Sequence, residues 1–64
     1  MKYDYKIPKN ISALTKTGNT LSRNNITAII INDDGFSVRN KEGETMGSIP
    51  LNNLDSWIVL GDTK

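Results

Sequence analysis

The chain is 64 residues long, carries a formal net charge of +1, and contains neither cysteine nor histidine. This length gives room for one domain, residues 1–64, with a core that is small relative to its surface. Disulfides and Cys/His zinc sites are excluded, so stability has to come from close packing or from self-association. The two side chains that most often perform catalysis at neutral pH are also missing. We therefore expect a protein that is not an enzyme and uses no cofactor.

Charge is distributed unevenly along the chain. Residues 1–23 hold five basic side chains and one acidic one, whereas residues 24–64 hold three basic and six acidic ones. The basic segment would suit a polyanionic partner, although lysines that simply solubilise an N-terminal segment give the same pattern. The first residues lack the apolar stretch of a secretory signal, and no run approaches the length of a membrane span. We expect a cytoplasmic protein with no membrane partner.

The N-terminal residues alternate polar and apolar side chains, which predicts a short strand. Its apolar members are Tyr3, Tyr5 and Ile7. Pro8 lacks a backbone donor and is expected either to end this strand or to place it at a sheet edge. Residues 9–17 allow two interpretations. Ile11 and Leu14 are three positions apart, as in one helical turn capped by Asn10, but the density of Ser and Thr suits an extended segment equally well.

The central part of the sequence predicts a β-hairpin. Residues 26–31 are almost entirely apolar and rich in β-branched side chains, which is typical of a strand. Residues 32–35 then contain Asp-Gly, the strongest short-range hairpin signal, because both central positions of a type I′ turn need a positive φ. Residues 36–39 alternate apolar and polar side chains and are expected to form the partner strand.

The last third of the sequence predicts two more strands. A turn at residues 41–44 precedes a strand over residues 45–51, in which Gly47 indicates a bulge or bend. Residues 51–55 are too short for a helix and too polar for a strand, so one 3₁₀ turn fits them. Residues 57–60 are the last strand. The pattern predicts a mostly β fold, either a small five-stranded antiparallel meander or a barrel, with at most one short N-terminal helical turn.

Two of the predicted strands are apolar on both faces. Side chains alternate between faces along a strand, so the even-numbered residues of 26–31 should share one face while Ile29 and Ile31 occupy the other. Residues 57–60 are apolar throughout. If one face fills the core, the other needs a cover, which is either the N-terminal segment or a second copy of the chain. We favour the second copy, and the predicted interface consists of Ile29, Ile31, Ile58 and Leu60.

The sequence around residues 49–54, Ile-Pro-Leu-Asn-Asn-Leu, resembles the closing half of small SH3-like and Sm-like barrels. In those folds a hairpin after an Asp/Gly turn leads to a strand of the form Ile-Pro-x-x-x-Ile, then to a 3₁₀ turn and a short final strand. The resemblance covers roughly residues 26–60 and marks a topology rather than one family, because bacterial PH-like domains use a similar phrase. It implies an oligomer-prone barrel that often binds nucleic acid.

The RNA pocket of the Sm family is not implied by this resemblance. That pocket needs an Asn a few residues after the Asp of the hairpin turn, and here no Asn follows Asp34 until Asn40. The Arg/Lys-Gly pair that precedes the last strand of that family is also missing. Asp33 and Asp34 could offer carboxylate oxygens to Mg²⁺, but turn formation explains both residues, and we expect no metal site.

The leading hypothesis is a non-enzymatic interaction or regulatory module that binds a partner protein and forms a homo-oligomer. Its size would suit a protein encoded by a phage or mobile element, and a ring or connector subunit is a related hypothesis. The alternative is a small barrel that binds nucleic acid, with bases stacked on exposed rings beside basic groups. The residues predicted for that alternative are Lys2, Tyr3, Tyr5, Lys6, Lys9, Lys16, Arg23, Arg39 and Lys41. Phe36 and Trp57 are expected in the core.

Overall fold

Nearly the whole chain is built into one antiparallel β-sheet. The structure is a computed structural model that describes residues 1–62. A lone 3₁₀ turn, Leu51–Asn53, joins the fourth strand to the fifth. The strands are β1 (Lys2–Thr15), β2 (Thr20–Asn32), β3 (Gly35–Arg39), β4 (Thr45–Ile49) and β5 (Leu54–Asp62).

The strands lie in the order β4-β3-β2-β1-β5. The first four form a meander, and β5 returns to pair with the side of β1 that faces away from β2. β4 and β5 are the two edges of the sheet and do not pair with each other. The prediction of a mostly β fold with five antiparallel strands and one 3₁₀ turn before the last strand is confirmed. The sheet does not close into a barrel.

β1 runs without interruption past Pro8, so the first predicted alternative, that the strand ends there, is wrong. The second alternative, a position at a sheet edge, agrees with the pairing of β1 and β5, which begins only at Lys9. Pro8 lies in a β-bulge, since the pairing with β2 shifts register between Asp4 and Lys9. A bulge leaves residues outside the hydrogen-bonded ladder, so a proline without an N–H is tolerated. The predicted helical turn within residues 9–17 is also wrong. Residues 9–15 pair with β2 on one side and β5 on the other. Two ladders satisfy the backbone N–H and C=O groups of this segment better than one isolated helical turn would.

The predicted β2–β3 hairpin is present, but its turn differs from a type I′ turn. Asn32 pairs with Gly35, which makes Asp33 and Asp34 the two loop residues. Among the described residues, Asn25 is the only one other than glycine with a positive φ, so neither aspartate has the conformation that a type I′ turn requires. The Asn32 side chain holds the turn instead, because its Oδ1 accepts a hydrogen bond of 2.9 Å from the Asp34 N–H.

The core lies on the concave face of the sheet and draws on its first four strands. Its buried side chains are Ile11, Ala13, Ile26, Ile29, Phe36, Val38 and Ile49. Ile26 and Ile29 both belong to this cluster although they are three positions apart on β2. Strict alternation would put them on opposite faces, but β1 and β2 shift register with respect to each other beside Ile26. The predicted assignment of Ile26 and Ile29 to different faces is therefore wrong.

The sheet bends strongly enough to bring distant strands together. β3 and β5 are separated by two strands in the sheet order, which in a flat sheet would place them about 14 Å apart. The ring centroids of Phe36 on β3 and Trp57 on β5 are only 5.9 Å apart. The concave face is thus folded around its own side chains, and Trp57 covers the core from the β5 side.

Gly35, where β3 begins, is the position at which a side chain is least tolerable. It has a φ of +132°, and a Cβ added there would lie 2.5 Å from the carbonyl oxygen of Ile49 on the neighbouring strand. We expect Gly35→Ala to lower the free energy of unfolding by about 2–5 kcal/mol through strain and overpacking. Urea denaturation followed by Trp57 fluorescence measures this change.

Gly18→Ala is the matched control for that substitution. Gly18 also has a positive φ of +89°, but a Cβ there would meet no atom within 4 Å. Gly18→Ala should lower the free energy of unfolding by about 1–2 kcal/mol, through backbone strain alone. Equal losses of stability in the two variants would contradict the close approach of Gly35 to β4.

Candidate protein-interaction surface on strands β1 and β5

β5 presents apolar side chains to solvent on its convex side. Trp57 and Val59 point inward and pack against the core, whereas Ile58 and Leu60 keep 58% and 63% of their surface exposed. On β1, Leu14 has the same outward orientation and is 40% exposed. We call Leu14, Ile58 and Leu60 the outer patch.

The pairing register of β1 and β5 explains why the outer patch is continuous. Ser12 pairs with Ile58 and Leu14 pairs with Ser56, so Leu14 and Ile58 are diagonal neighbours on the same face. Diagonal cross-strand neighbours lie within reach of long side chains. The small serines between them do not cover the apolar groups. The patch is therefore a ridge of aliphatic side chains on a strand pair rather than scattered exposed residues.

The outer edge of β5 is open beside this patch. Within residues 1–62, β5 has β1 as its only neighbour in the sheet, so the backbone N–H and C=O groups on its other side have no strand partner. Natural sheet edges are usually blunted by lysine, proline, short strands or a covering element. β5 is nine residues long and contains neither lysine nor proline. Its pairing with β1 does shift register twice, which leaves Asp55 and Leu60 as extra residues on β5.

β4, the opposite edge, is a poorer pairing surface. It is only five residues long, contains Gly47, and is followed directly by Pro50. Its pairing with β3 shifts register between Val38 and Arg39, which leaves Met46 as the extra residue of a bulge. Short length and bulging are features that protect sheet edges. β5 also shifts register against its neighbour, so its advantage as a pairing surface is its greater length.

The structure divides the predicted interface residues into two groups. Ile58 and Leu60 lie together in the outer patch, but Ile29 has no exposed surface and belongs to the core cluster. Ile31 is half-buried and packs against that cluster. Ile29 lies within the core of the same chain and Ile31 packs against it, so the fold itself covers both. Ile29 is therefore removed from the interface, because a buried side chain cannot contact a second copy.

Leu14 was not among the predicted interface residues, although the sequence contains a signal for it. It was grouped with other N-terminal apolar residues as a cover for the sheet. Once residues 9–15 are read as a strand, alternation puts Ile11 and Ala13 on one face and Leu14 on the other. The structure has this arrangement, with Ile11 and Ala13 buried and Leu14 exposed. This alternation could not be assigned from the sequence, because residues 9–17 allowed both a helical turn and an extended segment.

The aromatic residues form a chain across the open side of the concave face. Trp57 is contacted edge-on by Tyr3, with ring centroids 5.4 Å apart, and lies against Phe36 on its other side. The Tyr3 hydroxyl donates to the Met1 sulfur at 2.9 Å. Tyr5 is half-buried and packs against the core. Phe36 is fully buried, as expected, and Trp57 is partly so. These rings are used in packing, and Tyr3 is the most exposed of them.

The predicted basic residues do not form one surface. Lys9 binds Asp62 through an ion pair that ties the end of β5 to β1, and Lys2 lies 3.7 Å from Asp4. Arg23 is held by the backbone, since its Nε donates to the Met46 carbonyl at 2.7 Å. Lys16 follows the far end of β1, and Arg39 ends β3.

Two basic residues do share a feature. Lys6 and Lys41 line the same open cleft, together with Tyr5, Asp4 and Thr27. Lys41 belongs to the β3–β4 turn, which Asn40 organises by accepting hydrogen bonds from the N–H groups of Glu42 and Glu44 at 3.1 and 3.0 Å. The cleft is thus formed by the β1 bulge and a well-ordered turn.

Residues 1–62 contain no group of three or more acidic side chains placed to hold a metal ion. No helix in that range is long and apolar enough to cross a membrane.

No protein-family model, curated protein or solved structure matches this chain. Its function is therefore argued from the geometry of the outer patch and the β5 edge.

Tyr3 should be the main cover of Trp57 on the open side of the concave face. We expect Tyr3→Ala to remove the edge-on ring contact and lower the free energy of unfolding by about 0.5–1.5 kcal/mol beyond its area term. Trp57 is the only tryptophan, so its emission should shift to longer wavelength and acrylamide quenching should increase. Lys2→Ala is the control, because Lys2 is a neighbouring exposed residue. Unchanged quenching in Tyr3→Ala would contradict the contact.

Proposed function

We propose that this chain is a non-enzymatic interaction module that binds protein through the outer patch and the open edge of β5, and that it self-associates through this surface. The observation that carries the proposal is the coincidence of an aliphatic ridge with a nine-residue edge strand. Added strands gain affinity from main-chain hydrogen bonds and specificity from alternate side chains. β5 offers both to a partner.

The apolar area of the outer patch favours self-association over binding to a surface that has no apolar patch of its own. Full burial of an Ile or Leu side chain contributes about 1.5–3 kcal/mol. Since Ile58 and Leu60 are little more than half exposed, covering both contributes about 2–4 kcal/mol on that scale. Association costs at least about 4 kcal/mol. The burial free energy of one patch does not offset this cost of association. Two patches that pack against each other contribute about twice that burial free energy.

For the fold, we propose an open variant of the SH3-like or Sm-like arrangement. β1 lies between β2 and β5, and a 3₁₀ turn separates β4 from β5. The two aliphatic positions of the Ile-Pro-x-x-x-Ile form are occupied by Ile49, which is 4% exposed, and Leu54, which packs against the core. Both features support the resemblance that the sequence suggested.

The outer patch can be tested by making it polar. We expect the native chain to show a mass above that of one chain, rising with concentration across the micromolar range, in sedimentation or light-scattering measurements. Ile58→Ser combined with Leu60→Ser should shift the mass to that of a single chain, because the buried apolar area is lost. Both residues are exposed, so the fold should persist, and circular dichroism checks this.

Leu51→Ser is the matched control for the patch variant. Leu51 is 44% exposed but lies in the 3₁₀ turn, away from the outer patch. It should associate as the native chain does. A native chain that stays a single chain at every concentration would refute self-association, and equal effects of the two variants would refute the patch as its site.

Nucleic-acid binding remains the second proposal, and the cleft that contains Lys6, Lys41 and Tyr5 is the observation that favours it. If single-stranded oligonucleotides bind there, Lys6→Ala with Lys41→Ala should weaken binding and reduce the slope of log K against log salt by about 1–2. Lys16→Ala, at the far end of β1, should change neither the affinity nor its salt dependence. Fluorescence anisotropy measures both quantities, and an absence of binding at low salt would eliminate this function.

A further inference from the structure

Two cavities meet at the β3–β4 turn, since Lys41 lines both of them. The first, which we call the basic lobe, is the cleft lined by Asp4, Tyr5, Lys6, Thr27 and Lys41. The second, the amide lobe, is lined by Pro8, Asn24, Asn25, Asn40, Lys41, Glu42 and Met46. The basic lobe has a volume of about 470 Å³ and the amide lobe one of about 330 Å³. Both volumes lie within the range of about 300–1,000 Å³ that is typical of small-ligand sites.

We infer that the two lobes together hold one nucleotide of a single-stranded nucleic acid, with its phosphate in the basic lobe and its base in the amide lobe, and that the amide lobe selects bases that carry an exocyclic amino group. The inference rests on the second proposed function, nucleic-acid binding, and adds base selectivity to it. Selectivity is a separate property, because phosphate contacts position a strand whereas contacts to base edges read its sequence.

The β1–β2 ladder is irregular at the residues that line the lobes. Residues 5–8 of β1 lie opposite Thr27 alone, and further along the ladder Asn24 and Asn25 of β2 lie opposite Asn10 alone. Asn25 has a φ of +63°, in the left-handed region that Asn tolerates better than most residues. Bulges redirect side chains and are over-represented beside functional sites. Here the first bulge supplies residues to both lobes and the second supplies residues to the amide lobe.

The β3–β4 turn is held in a fixed shape by the Asn40 side chain. Besides accepting from two N–H groups of the turn, Asn40 donates through Nδ2 to Glu44 Oε1 at 3.2 Å and to the Met46 sulfur at 3.4 Å. Its amide is therefore used within the turn and shapes the amide lobe. Asn24 and Glu42 line the same lobe, and their side chains make no hydrogen bond or ion pair within residues 1–62. These two side chains are the ones left for a ligand.

Charge assigns the phosphate to the basic lobe. Within residues 1–62, Lys6 and Lys41 form no ion pair, whereas Asp4 has Lys2 as its cation at 3.7 Å. Two cations without a counter-ion are the partners that a phosphate prefers. The amide lobe contains the carboxylate of Glu42, which would repel a phosphate. The base is therefore the part of a nucleotide that suits the amide lobe.

The polar groups of the amide lobe match some base edges and oppose others. An ionised carboxylate only accepts hydrogen bonds, whereas the amide of Asn24 both donates and accepts. Adenine and cytosine each present an amino donor, at N6 and N4, whereas thymine presents the acceptor O4 in that position. Thymine would place its O4 against the acceptor of Glu42. Pro8 and Met46 add apolar atoms to the lining of the lobe, which suit the faces of a base.

Fluorescence anisotropy at low salt tests this selectivity with labelled oligo(dC), oligo(dA) and oligo(dT) of equal length. We expect the native chain to bind oligo(dC) and oligo(dA) about five- to tenfold more tightly than oligo(dT). Glu42→Gln should reduce this preference to about twofold or less, because the new amide can donate to thymine O4. Equal affinities of the native chain for the three strands, or a preference for oligo(dT), would overturn the inference.

Asp55→Asn is the matched control, because it removes one carboxylate at a position that lines neither lobe. Asp55 lies on β5 next to Leu54, which pairs with Thr15. Glu42 and Asp55 are both exposed, so the fold should persist in both variants. Each variant gains one unit of net charge and should bind all three strands somewhat more tightly. Only Glu42→Gln should change the ratio of affinities, and the same change of ratio in Asp55→Asn would refute Glu42 as the selecting residue.

Competition by cytidine monophosphate distinguishes a strand from a free nucleotide as the ligand. The flanking phosphates of a strand add to the attraction by Lys6 and Lys41, so the free nucleotide should displace oligo(dC) only at much higher concentration. Equal potency per nucleotide would overturn the strand as the ligand.

The outcomes also separate this inference from the function on which it rests. If the strands bind in a way that depends on Lys6 and Lys41 but without preference among bases, nucleic-acid binding stands and the selectivity is refuted. If no strand binds at low salt, both are refuted.

Discussion

The pairing of β1 on both of its sides is the constraint on which the rest of this fold depends. β1 is the only strand that joins the β2–β3–β4 meander to β5, and its residues Ile11 and Ala13 are almost completely buried between the two ladders. The bulge before Lys9 lets this strand bend, and from Lys9 onward the strand pairs with β5 as well as with β2. Because of that bend, the concave face closes on Phe36 and Trp57, which lie on strands that a flat sheet would keep far apart. A chain without disulfide or metal obtains its core in this way.

The same bend determines what the protein can offer to a partner. The core takes the inward side chains of β1 and β5, so Leu14, Ile58 and Leu60 on the outward side are left largely exposed. Ile58 and Leu60 are exposed for this reason and not because they are far from the core in sequence. The two sheet edges also differ in length, since β4 has five residues and β5 has nine, although the pairing of each with its neighbour shifts register. Large apolar side chains are exposed at both edges, but Ile58 and Leu60 on β5 have higher exposed fractions than Met46 on β4.

Sequence reasoning reached the elements of the fold more easily than their orientation. The hairpin after residue 32, the 3₁₀ turn and the last strand follow from local chemistry: turn-forming residues, a proline, and runs of β-branched side chains. The continuity of β1 through Pro8 does not, because a bulge is a property of two paired strands. Period-2 counting likewise assigned Ile29 to an outer face, and the register shift beside Ile26 changes that count. Ile58 and Leu60 could be identified because β5 alternates without a change of face across residues 56–62.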